Sequence, residues 1–120
     1  ERNREFQAEP ERLVPFVQAG NLVQLTAASI VGGFGRHVQE VAHLMLSMRL
    51  AHLVASDAHS PSRRPPGLSE ARKVVESLLS ASEAEEIFER RPREILLGNV
   101  VTLPDPDTRR AARKKRWWFF

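Results

Sequence analysis

Asn21-Leu22-Val23-Gln24-Leu25-Thr26 is short, mostly apolar and bounded by turn-forming residues, which is the length and texture of a buried strand. Before it, Leu13, Val14, Phe16 and Val17 fall on one face of a helix over residues 9–19, with Pro10 suited to a first turn and Gly20 to a helix exit. After it, Val31-Gly32-Gly33-Phe34-Gly35 leads to a second helix over 36–50, where Val38, Val41, Ala42, Met45, Leu46 and Arg49 step round a wide, mainly apolar face. His52-Leu53-Val54-Ala55-Ser56 repeats the strand texture. Residues 57–67, with three prolines, read as a loop. Ser69 is predicted to cap a third helix over 70–79, and short helices are predicted over 82–90 and 92–97. Helix, strand, helix, strand, helix is the order of parallel βα units, so the fold class is α/β with parallel strands. Two strands do not close a barrel, and a complete (β/α) barrel takes about 250 residues, so the expectation is part of a larger one.

The chain has 120 residues, room for one ordinary domain, and its 42% hydrophobic content is enough to bury a core. It has no cysteine, which excludes a disulfide framework, a thiolate zinc site and a cysteine nucleophile, and suits a reducing compartment. Eighteen Lys and Arg face fifteen Asp and Glu, but six of the basic residues lie within 109–116. Without residues 105–120 the balance is twelve basic to thirteen acidic, so the body is no basic protein and nucleic-acid binding by it is not expected. No apolar run reaches the roughly 18 residues of a membrane span and no secretory pattern opens the chain, so a soluble, cytoplasmic setting is expected. The first residue is Glu1, with no initiator methionine, which adds to the expectation of an incomplete chain.

Asp57 and His59 are the sharpest candidates for chemistry. They follow a strand directly and stand two positions apart, so a continuing extended backbone points both to one side. A carboxylate oxygen and a neutral imidazole nitrogen make a proper ligand pair for a divalent metal at the C-terminal mouth of parallel strands. Asp57 bonding nearby amides as a loop cap, with His59 merely exposed, is the other reading. Gln24 and Thr26 alternate with apolar neighbours and are candidates to support such a site from behind. Gly32-Gly33-Phe34-Gly35 matches neither a full P-loop nor a dinucleotide fingerprint and reads as a permissive turn. His37 and His43 on the second helix read as structural or solvated, His52 lies at the wrong end of its strand, Arg63 reads as a surface charge, and Met45 and Met48 fill the core.

Taken in order, Glu1-Arg2, Pro10-Glu11-Arg12-Leu13, Gly20-Asn21-Leu22-Val23-Gln24-Leu25-Thr26-Ala27, Gly33-Phe34-Gly35, Val54-Ala55-Ser56-Asp57-Ala58-His59 and Arg64-Pro65 resemble the bacterial capsular polysaccharide biosynthesis tyrosine-protein phosphatases. These are manganese-dependent members of the PHP (polymerase and histidinol phosphatase) superfamily. The resemblance covers about residues 1–99. It implies the C-terminal portion of a distorted (β/α)7 PHP-type barrel over 1–103; the tail over 104–120 lies outside the resemblance, and its Pro104-Asp105-Pro106-Asp107 break and basic, aromatic composition read as flexible. It further implies that Asp57 and His59 are two ligands of a manganese cluster, and that Arg2 and Arg64 face the substrate phosphate while metal-activated water attacks phosphorus. The family's histidine-proline-glutamate-arginine run would place a ligand histidine two positions before Glu1, so the chain by itself is expected to be inactive or nearly so.

The function implied is hydrolysis of phosphotyrosine on a protein, a capsule-assembly tyrosine kinase, in control of capsular or exopolysaccharide synthesis. Two other readings stand beside it. One is a PHP phosphoesterase acting on a small phosphate ester. The other is a non-catalytic module whose tail, with its basic run and Trp117-Trp118-Phe119-Phe120, contacts a membrane surface or a polyanion. The sequence leaves the oligomeric state open.

Overall fold

The computed structural model describes residues 1–109. It opens with a single-turn helix, α1 (Arg4–Ala8), which the sequence reading passed over because five residues are too few to display a helical period. Asn3 starts it by capping: its side chain accepts from the amides of Glu5 and Phe6 at 2.9 and 3.3 Å. Pro10–Leu13 form a 3₁₀ turn that runs on into α2 (Val14–Gln18), together filling the helix expected over 9–19. Strand β1 (Gln24–Thr26) passes directly into a second unforeseen turn of helix, α3 (Ala27–Ile30), and the glycine-rich loop then leads to α4 (Arg36–Ser47). Strand β2 (Leu53–Ala55) follows, then the long proline loop, α5 (Ser69–Leu78), α6 (Ala81–Glu85), a π turn over Glu86–Arg90 and α7 (Arg91–Leu96).

β1 and β2 pair in parallel, Gln24 opposite Leu53, Leu25 opposite Val54 and Thr26 opposite Ala55. Parallel neighbours need a crossover, and α3 and α4 supply it. The chain is thus α/β with a small parallel sheet, as its element order foretold. Both strands are shorter than expected, because three register pairs are all that the two segments form.

The core lies where α3 meets α4, α5 and β1. Leu25, Ile30, Met45, Met48, Leu50 and Val75 are wholly buried there, so both methionines do fill the core. Arg49, counted with the apolar face in the sequence, instead turns outward with φ +57° just past the end of α4. His52 is fully buried ahead of β2; its Nδ1 accepts from the Val23 amide at 3.1 Å, and its carbonyl accepts from Arg91 Nη1 at 3.3 Å.

The expected cap at Ser69 is corrected: Ser69 is the first helical residue, and Leu68 before it offers no side-chain acceptor. The side-chain cap sits instead at Ser80, whose Oγ accepts from the Glu83 amide at 3.1 Å. Beyond Leu103, which packs on the core, the backbone stays on the body at Asp107, whose amide donates to the Met48 carbonyl at 2.8 Å. The greater part of the basic, aromatic tail, 110–120, lies outside the described residues.

Candidate functional site

Because β1 and β2 are parallel, the residues leaving their C-terminal ends share one edge of the molecule. β2 delivers Asp57 there, but not on extended backbone. Asp57 takes the left-handed conformation with φ +52°, a strained region that aspartate tolerates better than most L residues. The route expected from the two-residue spacing is therefore absent, yet the two side chains still meet. His59 Nδ1 lies 2.7 Å from the Asp57 carbonyl oxygen and 3.9 Å from Asp57 Oδ1. A carbonyl can only accept, so Nδ1 carries the proton in that bond and Nε2 of the neutral ring keeps its lone pair.

The loop then folds back on itself. The amides of His59 and Ser60 donate to the Arg64 carbonyl at 3.1 and 3.4 Å, and Ser60 Oγ accepts from the amides of Arg63 and Arg64 at 3.0 and 3.2 Å. That closure returns the Arg64 side chain to Asp57, whose Oδ2 accepts from Arg64 Nη2. Arg2 donates to the same Oδ2 through Nη2 at 3.2 Å. Partial burial acts to raise the Asp57 carboxyl, but the Arg64 hydrogen bond and the charges of Arg64 and Arg2 prevail and hold it below the usual carboxylate range.

Arg2 is steadied by a residue to which the sequence assigned no role. The Glu1 side chain is only 6% exposed, and its Oε1 lies 3.6 Å from Arg2 Nε. That oxygen also accepts from Ser29 Oγ at 2.7 Å and from the Thr26 amide at 3.4 Å, which ties the start of the chain to the end of β1. Thr26 is buried, and its Oγ1 accepts from Arg2 Nη2 at 3.5 Å. Gln24 is exposed and joins none of these contacts.

Phe34 is the second residue that was missed. Its ring lies under both guanidinium groups, with its centroid 4.8 Å from Arg2 Cζ and 5.9 Å from Arg64 Cζ. The glycine loop therefore does more than turn the chain, the only role that its sequence suggested. Among the other residues weighed, His43 Nε2 donates to the Ile30 carbonyl at 2.8 Å, while His37 and Arg63 are exposed. A cavity of about 360 Å³ opens beside Arg64, its lining mostly apolar (Ala27, Ala28, Val31, Pro65 and Ala71) with Arg63 and Glu70 among its polar members.

The donor chemistry at Asp57 and His59 suits a divalent ion: one carboxylate, and one imidazole whose outer nitrogen is fixed by a carbonyl so that the other is free to ligate. Among the described residues no group of three or more His, Cys, Asp or Glu converges, so this pair is at most part of a coordination sphere.

Residues 1–97 match the family described as "Capsular polysaccharide synthesis, CpsB/CapC". The tyrosine-protein phosphatase YwqE of Bacillus subtilis is 32% identical over 120 residues, all of this chain and 46% of that protein. The tyrosine-protein phosphatase CpsB of Streptococcus pneumoniae is 30% identical over 66 residues, 55% of this chain and 27% of that protein. A solved structure from a study of YwqE and CpsB, "unique metal-dependent tyrosine phosphatases", superposes with a TM-score of 0.82 at 27% identity, covering 88% of this chain and 42% of that one. The chain thus spans less than half the length of these relatives.

Proposed function

Since the chain belongs to the CpsB/CapC capsular polysaccharide synthesis family, we propose that it supplies the phosphate-binding arginines and two metal ligands of a metal-dependent protein-tyrosine phosphatase. The observation that carries this reading is the convergence of Arg2 and Arg64, far apart in sequence, on Asp57 Oδ2 with His59 alongside. In the same proposal the two strands belong to a (β/α)7 barrel, residues 1–103 form its C-terminal part, and 104–120 are an appendage to it.

Each side chain has a task that its position supports. Asp57 and His59 Nε2 hold the ion, for which manganese is our choice. When bound, such an ion polarises phosphoryl oxygens and lowers the pKa of water at the site. Arg2 and Arg64 present planar donors to the equatorial phosphoryl oxygens, where charge accumulates as the ester bond breaks. Glu1 and Thr26 orient Arg2. Further ligands are required beyond these two, so the 120 residues alone should turn over substrate barely or not at all.

The apolar wall of the cavity beside Arg64 favours an aryl phosphate on a protein over a small polar ester. The substrate we infer is a phosphotyrosine protein, a tyrosine kinase of capsule or exopolysaccharide assembly. A cytoplasmic site of action belongs to the same proposal, and the cysteine-free sequence supports it.

A chimera tests the proposal: this chain replaces the matching segment of Bacillus subtilis YwqE, and hydrolysis of a phosphotyrosine peptide and of histidinol phosphate is followed with manganese. We expect turnover of the peptide, lost on Asp57→Ala or His59→Ala and strongly reduced on Arg64→Ala. Preference for histidinol phosphate would move the assignment to the small-ester reading. Indifference to all three substitutions would remove the site.

A further inference from the structure

Two guanidinium groups that serve one anion must be held near each other although they repel, and the support cannot be an anion that takes the place of the ligand. Asp57 holds them in the present structure, but in the proposed function that carboxylate turns to a cation. Phe34 offers a support without net charge. The face of a phenyl ring carries the negative part of its quadrupole and attracts a cation within about 6 Å of the centroid. Arg2 Cζ at 4.8 Å and Arg64 Cζ at 5.9 Å both fall in that range, on one ring.

The loop is anchored on both sides of that ring. The Gly33 amide donates to the Ala28 carbonyl at 2.7 Å, and a Cβ at position 33 would stand 3.1 Å from that oxygen and 3.2 Å from the Ala28 Cβ. Gly35, at φ +91°, then turns the chain into α4. Phe34 itself is 38% exposed, and it belongs neither to the buried core nor to the partly buried apolar side chains packed on it. Burial therefore does not explain a phenyl ring here, whereas its contact with two cations does.

We propose that Phe34 is a positioning residue, its ring holding the guanidinium groups of Arg2 and Arg64 side by side so that both address one tetrahedral oxyanion. This rests on the reading of the two arginines as phosphate-binding groups and adds the device that aligns them. The test titrates the full chain with inorganic phosphate in metal-free buffer by calorimetry, for the unchanged protein, Phe34→Leu, Phe34→Trp and Arg64→Ala, and records the arginine Nε–H signals by NMR.

In the unchanged protein the Arg2 and Arg64 Nε–H signals should carry the upfield shift of a ring above them. Phe34→Leu should abolish that shift and weaken phosphate binding about 3- to 10-fold, and Phe34→Trp should restore both. If Arg64→Ala weakens binding while Phe34→Leu stays within about two-fold of the unchanged protein, the positioning role is refuted and the phosphate reading survives. Weakening that Phe34→Trp does not recover, with the Nε–H signals unmoved, marks a packing role and also overturns the proposal. If Arg64→Ala binds phosphate as well as the unchanged protein does, the phosphate reading falls and this inference falls with it.

Discussion

Arg2 Nη2 donates to Asp57 Oδ2 at 3.2 Å, joining the first turn of the chain to the exit of β2. Arg64 occupies the same oxygen, so the carboxylate sits where a phosphoryl oxygen would be expected to sit. If the arginines bind phosphate as proposed, Asp57 in the metal-free chain competes with the anion. Its depressed pKa keeps that competition in force through neutral pH and into mild acid. Asp57→Asn should tighten inorganic phosphate about 3- to 10-fold in metal-free buffer, read by calorimetry, because it removes one negative charge at contact distance from both arginines. Unchanged or weaker binding would show that the arginines are not poised for an anion.

Loss of the same carboxylate should act in the opposite direction on a metal. Titrating the chain with manganese and following the free ion by electron paramagnetic resonance, we expect Asp57→Ala and His59→Ala each to weaken binding by about ten-fold or more. His37→Ala, on an exposed stretch of α4, should leave it unaltered. Equal binding by all three variants would place the ion elsewhere.

His52 predicts an acid-sensitive fold. Burial first, and then the charge of Arg91, lower its pKa to about 4. The Val23 amide donates to Nδ1, so a second proton on the ring would break that bond. The unfolded chain binds this proton below about pH 6.5, and the folded chain resists it until about pH 4. The stabilisation is therefore complete above pH 6.5 and is lost as the pH falls from there toward 4, by up to about 3 kcal/mol. Urea unfolding across that window should show the slope, and His52→Asn, which keeps an acceptor for Val23, should flatten it.

What the sequence revealed of this arrangement follows from the range of the forces involved. Asn21 to Thr26 and His52 to Ser56 read as strands because each is a short apolar run, and within them Gln24–Thr26 and Leu53–Ala55 pair in parallel across the helical crossover. Asp57 and His59 were visible because they follow a strand at close spacing, although the backbone that brings them together is left-handed rather than extended. α1 and α3 were invisible, since helices of five and four residues have no period to read. Glu1 beneath Arg2, and Phe34 beneath both arginines, are contacts across tertiary structure between segments whose local patterns carry no trace of one another. Only the ordered resemblance to a family pointed to Arg2 and Arg64 at all. Gln24 illustrates the converse: alternation suggested a partner for Thr26, but the strand starts at Gln24 and leaves it exposed.

Two serines give the last prediction, and they separate helix caps by geometry rather than by composition. Ser80 and Glu83 have capping-box spacing, the Ser80 Oγ accepts from the Glu83 amide at 3.1 Å, and its hydroxyl reaches Glu83 Oε2 at 3.4 Å. Ser69 has the residue type of a cap but already lies inside the first turn of α5, where its hydroxyl accepts no capping bond. Ser80→Ala should therefore cost about 1 kcal/mol in urea unfolding, the usual loss when a serine cap is removed. Ser69→Ala, at an exposed helical position where alanine has the better propensity, should stay within about 0.5 kcal/mol of the unchanged protein. A larger loss at Ser69 than at Ser80 would mean that Ser69 is the cap and that α5 starts at Glu70.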